Sequence, residues 1–395
     1  MVYKYFIIAL LFPFLINGQV SESTEFSLLT VAHGTDAYNI FGHTGLRISD
    51  RSRGLDEVYN YGTFDIDTDN FEIQFLRGRL KYRIAKQSYK SFLQIYYHEG
   101  RAVNEQRLNL DNASKQKLYS FIINNYKPEN RYYLYDFFFD NCATRVRDIF
   151  ETEFTNSQYV GLTDLNITYR QLLDEYLQGL DWTDFGIDLI IGSVADAQAD
   201  HRGAMFLPTY LHDFADKITY TNEAGQTTQL VSSDEIVLPL DIIQHQSYVV
   251  TPLIFFSFLA FLELLLFLFR KKINGESRMI KFYDILCYIA MSIVSLVVMI
   301  MWFGTDHDAC AQNYNLLWAN PLFILLTGAL LLNNNNNKLL FLCSTFLVIT
   351  LLLWTIIPQQ IHVAILPIII LIILKNARMI LAIQQTMKNR AQLKI

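Results

Sequence analysis

From residue 252 onward the chain changes solvent. Five apolar runs follow one another, at 252–269, 282–303, 317–332, 339–357 and 363–374. A helix needs about 20 apolar residues to cross a bilayer. The first, second and fourth runs have that length, and the fifth extends on both sides. The expectation is an all-α bundle of five transmembrane helices over 248–395. Basic residues set its orientation. Arg270, Lys271, Lys272, Arg278 and Lys281 lie between the first two runs, and Lys338 between the third and fourth. Lys375, Arg378, Lys388, Arg390 and Lys394 follow the fifth, whereas the loops 304–316 and 358–362 hold no Lys or Arg. Positive charge on alternate sides places the C-terminus in the cytoplasm, with the loop 304–316 and the residues before 248 outside.

The N-terminus supports that orientation. Lys4, an apolar stretch over 5–16 and the small Gly18 read as a signal peptide over 1–18. Residues 19–247 have the mixed composition of a soluble domain, long enough to bury one core and expected to fold on its own. They carry 33 Asp and Glu against 20 Lys and Arg, a formal charge of −13. Nucleic-acid binding needs a basic footprint and is excluded. Patterning predicts an α+β domain. Strands are expected over 26–32, 45–49, 56–61, 80–85 and 92–97, with 132–139 strand-like or an ordered loop. Helices are expected over 71–75, 111–125 with Asp111 as N-cap, 143–153, 164–178 and 186–199, and a closing hairpin from 216–220 and 229–238.

Cys287 and Cys343 fall in apolar runs and act as small core residues. Cys142 and Cys310 lie outside the cytoplasm, where a disulfide between them is one use. A buried structural thiol is another. A third use is chemical, because Cys142 stands where an aromatic run gives way to a helix. A helix N-terminus stabilises a thiolate, and a nearby histidine takes its proton. His43, heading a strand, is the expected base; His33 is close enough to share the site, and His98, His201, His212 and His245 lie in more polar settings. Asn60, on the next strand, is the expected orienting group, with Asp65 and Asp56 as alternatives. Asp140 and Asn141 cap the helix or contribute to an oxyanion hole. Arg145 holds the thiolate or a lipid phosphate, or else pairs with Asp148 or Asp140. Asp306 and His307 are expected to contact a headgroup or amine at the membrane surface, and Trp318 to join an interfacial belt. Asp306, His307 and Asp308 lack a second histidine at ligand spacing, so neither a metal nor another cofactor is expected.

Several motifs then converge. They are Phe-Gly-His-Thr-Gly-Leu-Arg-Ile (41–48), Tyr-Asn-Tyr-Gly-Thr-Phe-Asp (59–65) and Phe-Asp-Asn-Cys-Ala-Thr-Arg-Val-Arg-Asp (139–148), followed by Met-Phe-Leu-Pro (205–208), Thr-Asp-His (305–307) and Asn-Leu-Leu-Trp-Ala-Asn-Pro (315–321). Together they resemble the Lnb N-terminal periplasmic domain family of lipoprotein N-acyltransferases, over about residues 26–321. The order His then Cys, far apart, also resembles circularly permuted papain-like folds such as NlpC/P60 relatives and the lecithin:retinol acyltransferase group. The resemblance implies a multi-pass protein of the bacterial inner (cytoplasmic) membrane with its catalytic domain in the periplasm. It implies acyl transfer from a phospholipid, through a thioester on Cys142 with His43 as base, to the α-amine of a diacylglyceryl-cysteine lipoprotein. Cys310 departs from what the resemblance accounts for. The rival readings are a membrane-tethered NlpC/P60-type cell-wall peptidase or amidase, and a non-enzymatic membrane assembly factor.

Overall fold

The structure, a computed structural model, describes residues 20–36, 38–240, 248–272, 277–332 and 336–392. The expected signal peptide over 1–18, His245 and Lys394 lie outside these residues.

The first strands, β1 (Thr24–Val31), β2 (His43–Asp50) and β3 (Leu55–Thr63), form an antiparallel meander. Strand alternation sends Phe26, Leu28, Leu46 and Ile48 to one core, and Leu29, Val31 and Val58 to another on the opposite face. Next come α1 (Phe71–Leu76), β4 (Lys81–Ser88) and α2 (Tyr89–His98). Part of α2 reads as a strand in the sequence. It is helical because Ser88 accepts a capping bond from Ser91 N–H at 3.1 Å, and its buried Phe92 and Tyr96, four residues apart, then share one helix face.

β5 (Val103–Leu108), absent from the sequence reading, pairs with β1. Its polar Glu105 is buried by a 2.9 Å pair with Arg47 and a 3.0 Å bond from the Tyr89 hydroxyl. α3 (Asn112–Tyr126) starts at the expected cap, Asp111, whose carboxylate accepts from Ser114 N–H at 2.8 Å. β6 (Tyr132–Leu134) closes one edge of the sheet, and α4 (Cys142–Glu153) packs Val146, Ile149 and Phe150 onto the meander core.

Helices and short pairings complete this half. β7 (Gln158–Tyr159) is followed by β8 (Ile167–Thr168), α5 (Tyr169–Leu177), α6 (Asp181–Ile190), β9 (Gln198–Ala199), α7 (His201–Ala204) and α8 (Pro208–Ala215). The expected closing hairpin divides. β10 (Ile218–Thr221) pairs with β11 (Thr227–Gln229), while β12 (Val231–Leu238) crosses to the main sheet and pairs with β5. The main sheet therefore runs β12-β5-β1-β2-β3-β4-β6, antiparallel throughout.

The helical half has five apolar helices, α9 (Pro252–Leu268), α10 (Arg278–Phe303), α11 (Leu322–Leu331), α12 (Asn337–Leu352) and α13 (Ile365–Gln392). Among the described residues only α10 and α13 have full spanning length. The segment 308–317, joined to α11 through a 57° bend, makes a third candidate span. The remaining two helices, of 17 and 16 residues, fall short of the roughly 20 that a crossing needs. The expected third run starts late because Pro321 supplies no N–H and the chain before it is wound into 3-10 turns at Asp308–Cys310 and Tyr314–Leu317. Trp318 is buried rather than interfacial. Its indole N–H donates to the buried Asn315 at 2.8 Å, which lets it leave water.

Lys375 and Arg378 also depart from the sequence reading. They do not follow the last span but lie inside α13, nearly stripped of solvent. Lys375 Nζ reaches Glu263 of α9 at 3.0 Å and Asp284 of α10 at 2.7 Å, and Arg378 reaches the same two carboxylates at 2.7 and 2.5 Å. Two cations balance two anions, which is what permits the four to leave water together.

The two halves share structure. Helix ends leave carbonyls without intrahelical partners. At the end of α6 those partners come from the outer loops of the helical half. Asn313 Nδ2 donates to Leu189 and Ile190 carbonyls at 3.0 and 2.9 Å, Asn315 Nδ2 to Asp188 at 2.8 Å, and Gln359 Nε2 to Ile191 at 3.1 Å. Phe185 of α6 packs among Ala260, Tyr288 and Trp318. A Cβ on Gly192 would stand 1.8 Å from Ala311 O, so only glycine allows this approach. The expectation of a soluble domain with a core wholly its own is corrected here.

Candidate active site

Cys142 begins α4 because the preceding loop is tied off. Asp136 Oδ1 accepts from Phe138 and Phe139 N–H at 2.9 and 2.7 Å, and Asp136 and Asp140 exchange backbone bonds at 3.1 Å. Asn141 then caps the helix. Its Oδ1 accepts from Ala143 and Thr144 N–H at 2.8 and 2.9 Å, and Thr144 Oγ1 accepts from Asn141 N–H at 2.7 Å. Its Nδ2 donates to Phe137 and Phe206 carbonyls at 2.8 Å. With its backbone N–H given to Thr144 Oγ1 and both ends of its side-chain amide engaged, Asn141 is a cap and has no backbone donor left for an oxyanion. The capping holds Cys142 at the first helical position, where its own N–H has no intrahelical partner.

His43 is brought to the head of β2. The pairing of Gly45 with Asn60 puts His43 and Asn60 on one face of the sheet, one step apart diagonally. Asn60 Oδ1 lies 3.1 Å from His43 Nε2. A carbonyl oxygen only accepts, so Nε2 carries the proton and Nδ1 keeps its lone pair. Tyr96 stacks on the imidazole, with ring centroids 6.3 Å apart. Burial pushes His43 down to about 4; the Asn60 bond opposes this and the positive charge of Arg101 adds to it. The ring is therefore neutral at neutral pH and able to take a proton.

Burial likewise raises the Cys142 thiol. The N–H groups of Thr44, Ala143 and Cys142 itself, together with Arg101, pull it the other way. Thr44 is the neighbour of His43 in the chain, so the thiol lies against the start of β2, the strand that carries the imidazole. Opposite them Gly62 has φ 83°, and a Cβ there would stand 3.6 Å from Cys142 Cβ. At rest both groups are neutral, so a nucleophilic use of this thiol would require its proton to leave during the step rather than before it.

Arg101 is the site residue that sequence reasoning missed. Nearly all of it is buried. Its Nε donates to Ala32 O at 2.8 Å, its Nη1 pairs with Glu99 at 2.7 Å, and its guanidinium lies 5.0 Å over the Tyr96 ring. Nη2 is buried without a hydrogen-bond partner. A single arginine after a helix-ending glycine is too common a pattern to reveal such a placement.

The other expected residues are engaged elsewhere. Arg145 makes a bidentate pair with Asp140 at 2.6 and 2.8 Å and lies 3.4 Å over the Tyr133 ring, its structural alternative. Asp306 pairs with Arg79 at 2.5 Å, and His307 Nε2 lies 3.2 Å from Phe75 O, so both tie the loop to α1 and the segment just after it. Asp56 and Asp65 pair with Arg47 and Arg83 at 2.8 and 2.5 Å, which leaves Asn60 as the group on His43. His33 stands edge-on to Tyr176, His98 against Tyr97, His201 against the Thr163 carbonyl, and His212 between Asp213 and Asp234. Cys310 is a buried free thiol, and Cys142 is free as well. Among the described residues one set of metal-ligand type, Asp184, Asp188 and His362, lies together at the seam between the halves, with Asp188 already held by Arg170.

A family model described as the Lnb N-terminal periplasmic domain matches residues 19–175, and one described as the Lnb transmembrane domain matches 244–387. No curated protein and no solved structure matches the chain. The α+β half is thus of periplasmic type and the helical half is a membrane domain.

Proposed function

We propose, from the premise that this chain belongs to the Lnb family, that it is a cysteine-dependent lipoprotein N-acyltransferase of the bacterial inner membrane. The observation that carries this reading is the thiol at the capped start of α4 beside a neutral His43 held by Asn60. Cysteine on a helix N-terminus, with His and Asn on neighbouring antiparallel strands, is the arrangement a circularly permuted papain-like fold would have. We also read all five apolar helices as membrane-embedded, including the two short ones.

In the first half-reaction His43 Nδ1 takes the thiol proton as Sγ attacks an ester carbonyl of a phospholipid. The acyl C–O bond breaks, and His43 returns the proton to the departing alkoxide. The products are an acyl-thioester on Cys142 and a lysophospholipid. In the second, the α-amine of a diacylglyceryl-cysteine lipoprotein attacks the thioester. His43 takes the amine proton, the C–S bond breaks, and the proton returns to sulfur. Membrane helices suit substrates that are themselves in the bilayer, by raising local concentration and fixing orientation.

The test is to incubate the full-length protein with phospholipid vesicles and seek an acyl adduct on Cys142 by mass spectrometry, then a triacylated lipoprotein N-terminus when acceptor is added. Cys142→Ser is expected to lose N-acylation while inserting normally, since a hydroxyl is a far poorer nucleophile than a thiolate. Normal N-acylation by that variant, or cleavage of muropeptides instead of acyl transfer, would overturn the reading.

A further inference from the structure

α1 buries none of its residues. Ile73, Phe75 and Leu76 are 57%, 48% and 59% exposed, and Ile66 in the preceding loop is 72% exposed. Contiguous exposed apolar side chains mark an interaction surface. This one is fastened to the membrane half. Asp306 N–H donates to Arg77 O at 2.9 Å, Arg79 Nε donates to the Asp306 carboxylate at 2.5 Å, and His307 meets Phe75 O. α10 ends at Phe303, so α1 is anchored within a few residues of a span's outer end, at headgroup level. Arg79 is taken up by Asp306, but the cations Arg77 and Lys81 flank it, and lipid phosphates would complement them.

A row of rings starts from the same helix. Phe75 lies 6.2 Å from Phe71, Phe71 5.6 Å from Phe64, Phe64 5.3 Å from Tyr82, and Tyr82 stacks on Tyr135 at 4.5 Å. Tyr135 borders Gly62, in the irregular end of β3, on which Cys142 also abuts. The row passes from exposed rings at Phe75 and Phe64 to part-buried ones at Tyr82 and Tyr135. An acyl chain lifted from a bilayer pays for every methylene left in water. Adjoining rings supply apolar contact on rigid side chains.

We infer that α1 dips into the outer leaflet and that the rings from Phe75 to Tyr135 carry an acyl chain of a membrane lipid from that leaflet to Cys142. The fate of the chain rests on the proposed function, whereas the membrane contact of α1 does not. The occupant is a lipid surface because α1 is continuous with the outer end of a span; a second protein is the alternative that the test addresses.

The experiment places the full-length chain in phospholipid nanodiscs, with Ile73→Cys in a Cys142→Ala background carrying an environment-sensitive fluorophore. Ile236→Cys, on the edge strand β12, is the control, and the labelled parent is subtracted. The label at 73 should be quenched by lipids spin-labelled high on the chain and protected from aqueous iodide, with the reverse at 236. Equal iodide quenching at both positions overturns the membrane contact. Protection from iodide without quenching by lipid would indicate a protein neighbour and overturns it as well. The second arm uses Phe64→Ser in otherwise native protein and compares loading of Cys142 from a long-chain phospholipid with loading from a soluble butyryl ester. The long-to-short ratio should fall at least tenfold, and an unchanged ratio overturns the ring path. Should neither donor load native Cys142, the proposed function fails, while the quenching arm still reads the membrane contact.

Discussion

His43 and Cys142 are held in states opposite to the charged pair often drawn for thiol enzymes. A neutral imidazole near pH 7 accepts a proton, and it stops doing so only when it is itself protonated. Because burial pushes His43 down to about 4, the acid limb of Cys142 acylation should fall near pH 4 rather than near the ordinary histidine value of about 6.5. The rate of thioester formation against pH checks this, and a limb at the ordinary value would show that the ring is solvated. His43→Ala should cost about 10²–10⁴-fold in the same assay. Arg101 acts on both partners, favouring thiolate over thiol and neutral imidazole over imidazolium. Arg101→Met should slow thioester formation by roughly 10–100-fold, the equivalent of one charge-assisted interaction. It should also move the pH midpoint of Cys142 alkylation upward. Rescue by Arg101→Lys of the midpoint, but not of the full rate, would separate charge from the geometry of the fork.

At the scale of elements, legibility followed how local the cause is. Asp111 marks α3 because its capping partner lies three residues on, and the antiparallel pairing of β2 with β3 brings Asn60 to His43 as the spacing of the two strands implies. α2 hides because its run of aromatic residues fits either period, and the deciding cap at Ser88 is weak in sequence. β5 hides because its buried Glu105 owes its burial to Arg47, on another strand. In the outer loop the sequence draws attention to Asp306 and His307 as a headgroup contact, and gives no sign that Asn313 and Asn315 finish α6. That use depends on a helix more than a hundred residues upstream, which no local pattern shows. The same junction yields a prediction. Gly192→Ala forces a methyl against Ala311 O and should cost about 1–3 kcal/mol. Hydrogen exchange should show the α6 end, residues 187–191, losing protection, while amides of β1 and β2 stay protected. Unchanged exchange at 187–191 would mean the two halves do not rely on this contact.

For the molecule as a whole, the seam changes what a truncation means. Cutting near Tyr248 removes the amides that complete α6 and the apolar neighbours of Phe185. The released fragment should keep its sheet and α4 but lose order in α5 and α6, by hydrogen exchange or amide spectra. It should also lose transfer to membrane-embedded lipoprotein. Full transfer by the fragment would make the helices a mere anchor. The division into a soluble and a membrane half was visible in hydropathy alone. Their mutual dependence was not, because hydropathy reports what solvent a segment tolerates and not which partners complete it.

The buried quartet of Glu263, Asp284, Lys375 and Arg378 has a consequence for biogenesis. Helices enter the membrane in the order they are made. Glu263 arrives on the first apolar helix, and its cations come 112 and 115 residues later, on the last. At a synthesis rate of about 5–20 residues per second, that acid waits on the order of ten seconds for a counter-charge. On the reading that this first helix is membrane-embedded, it is until then a poor guest in lipid. The bundle therefore cannot mature helix by helix; it locks when its last helix arrives. A ribosome that stops early leaves an unpaired acid in the membrane, a mark by which quality control can tell an unfinished chain from a finished one.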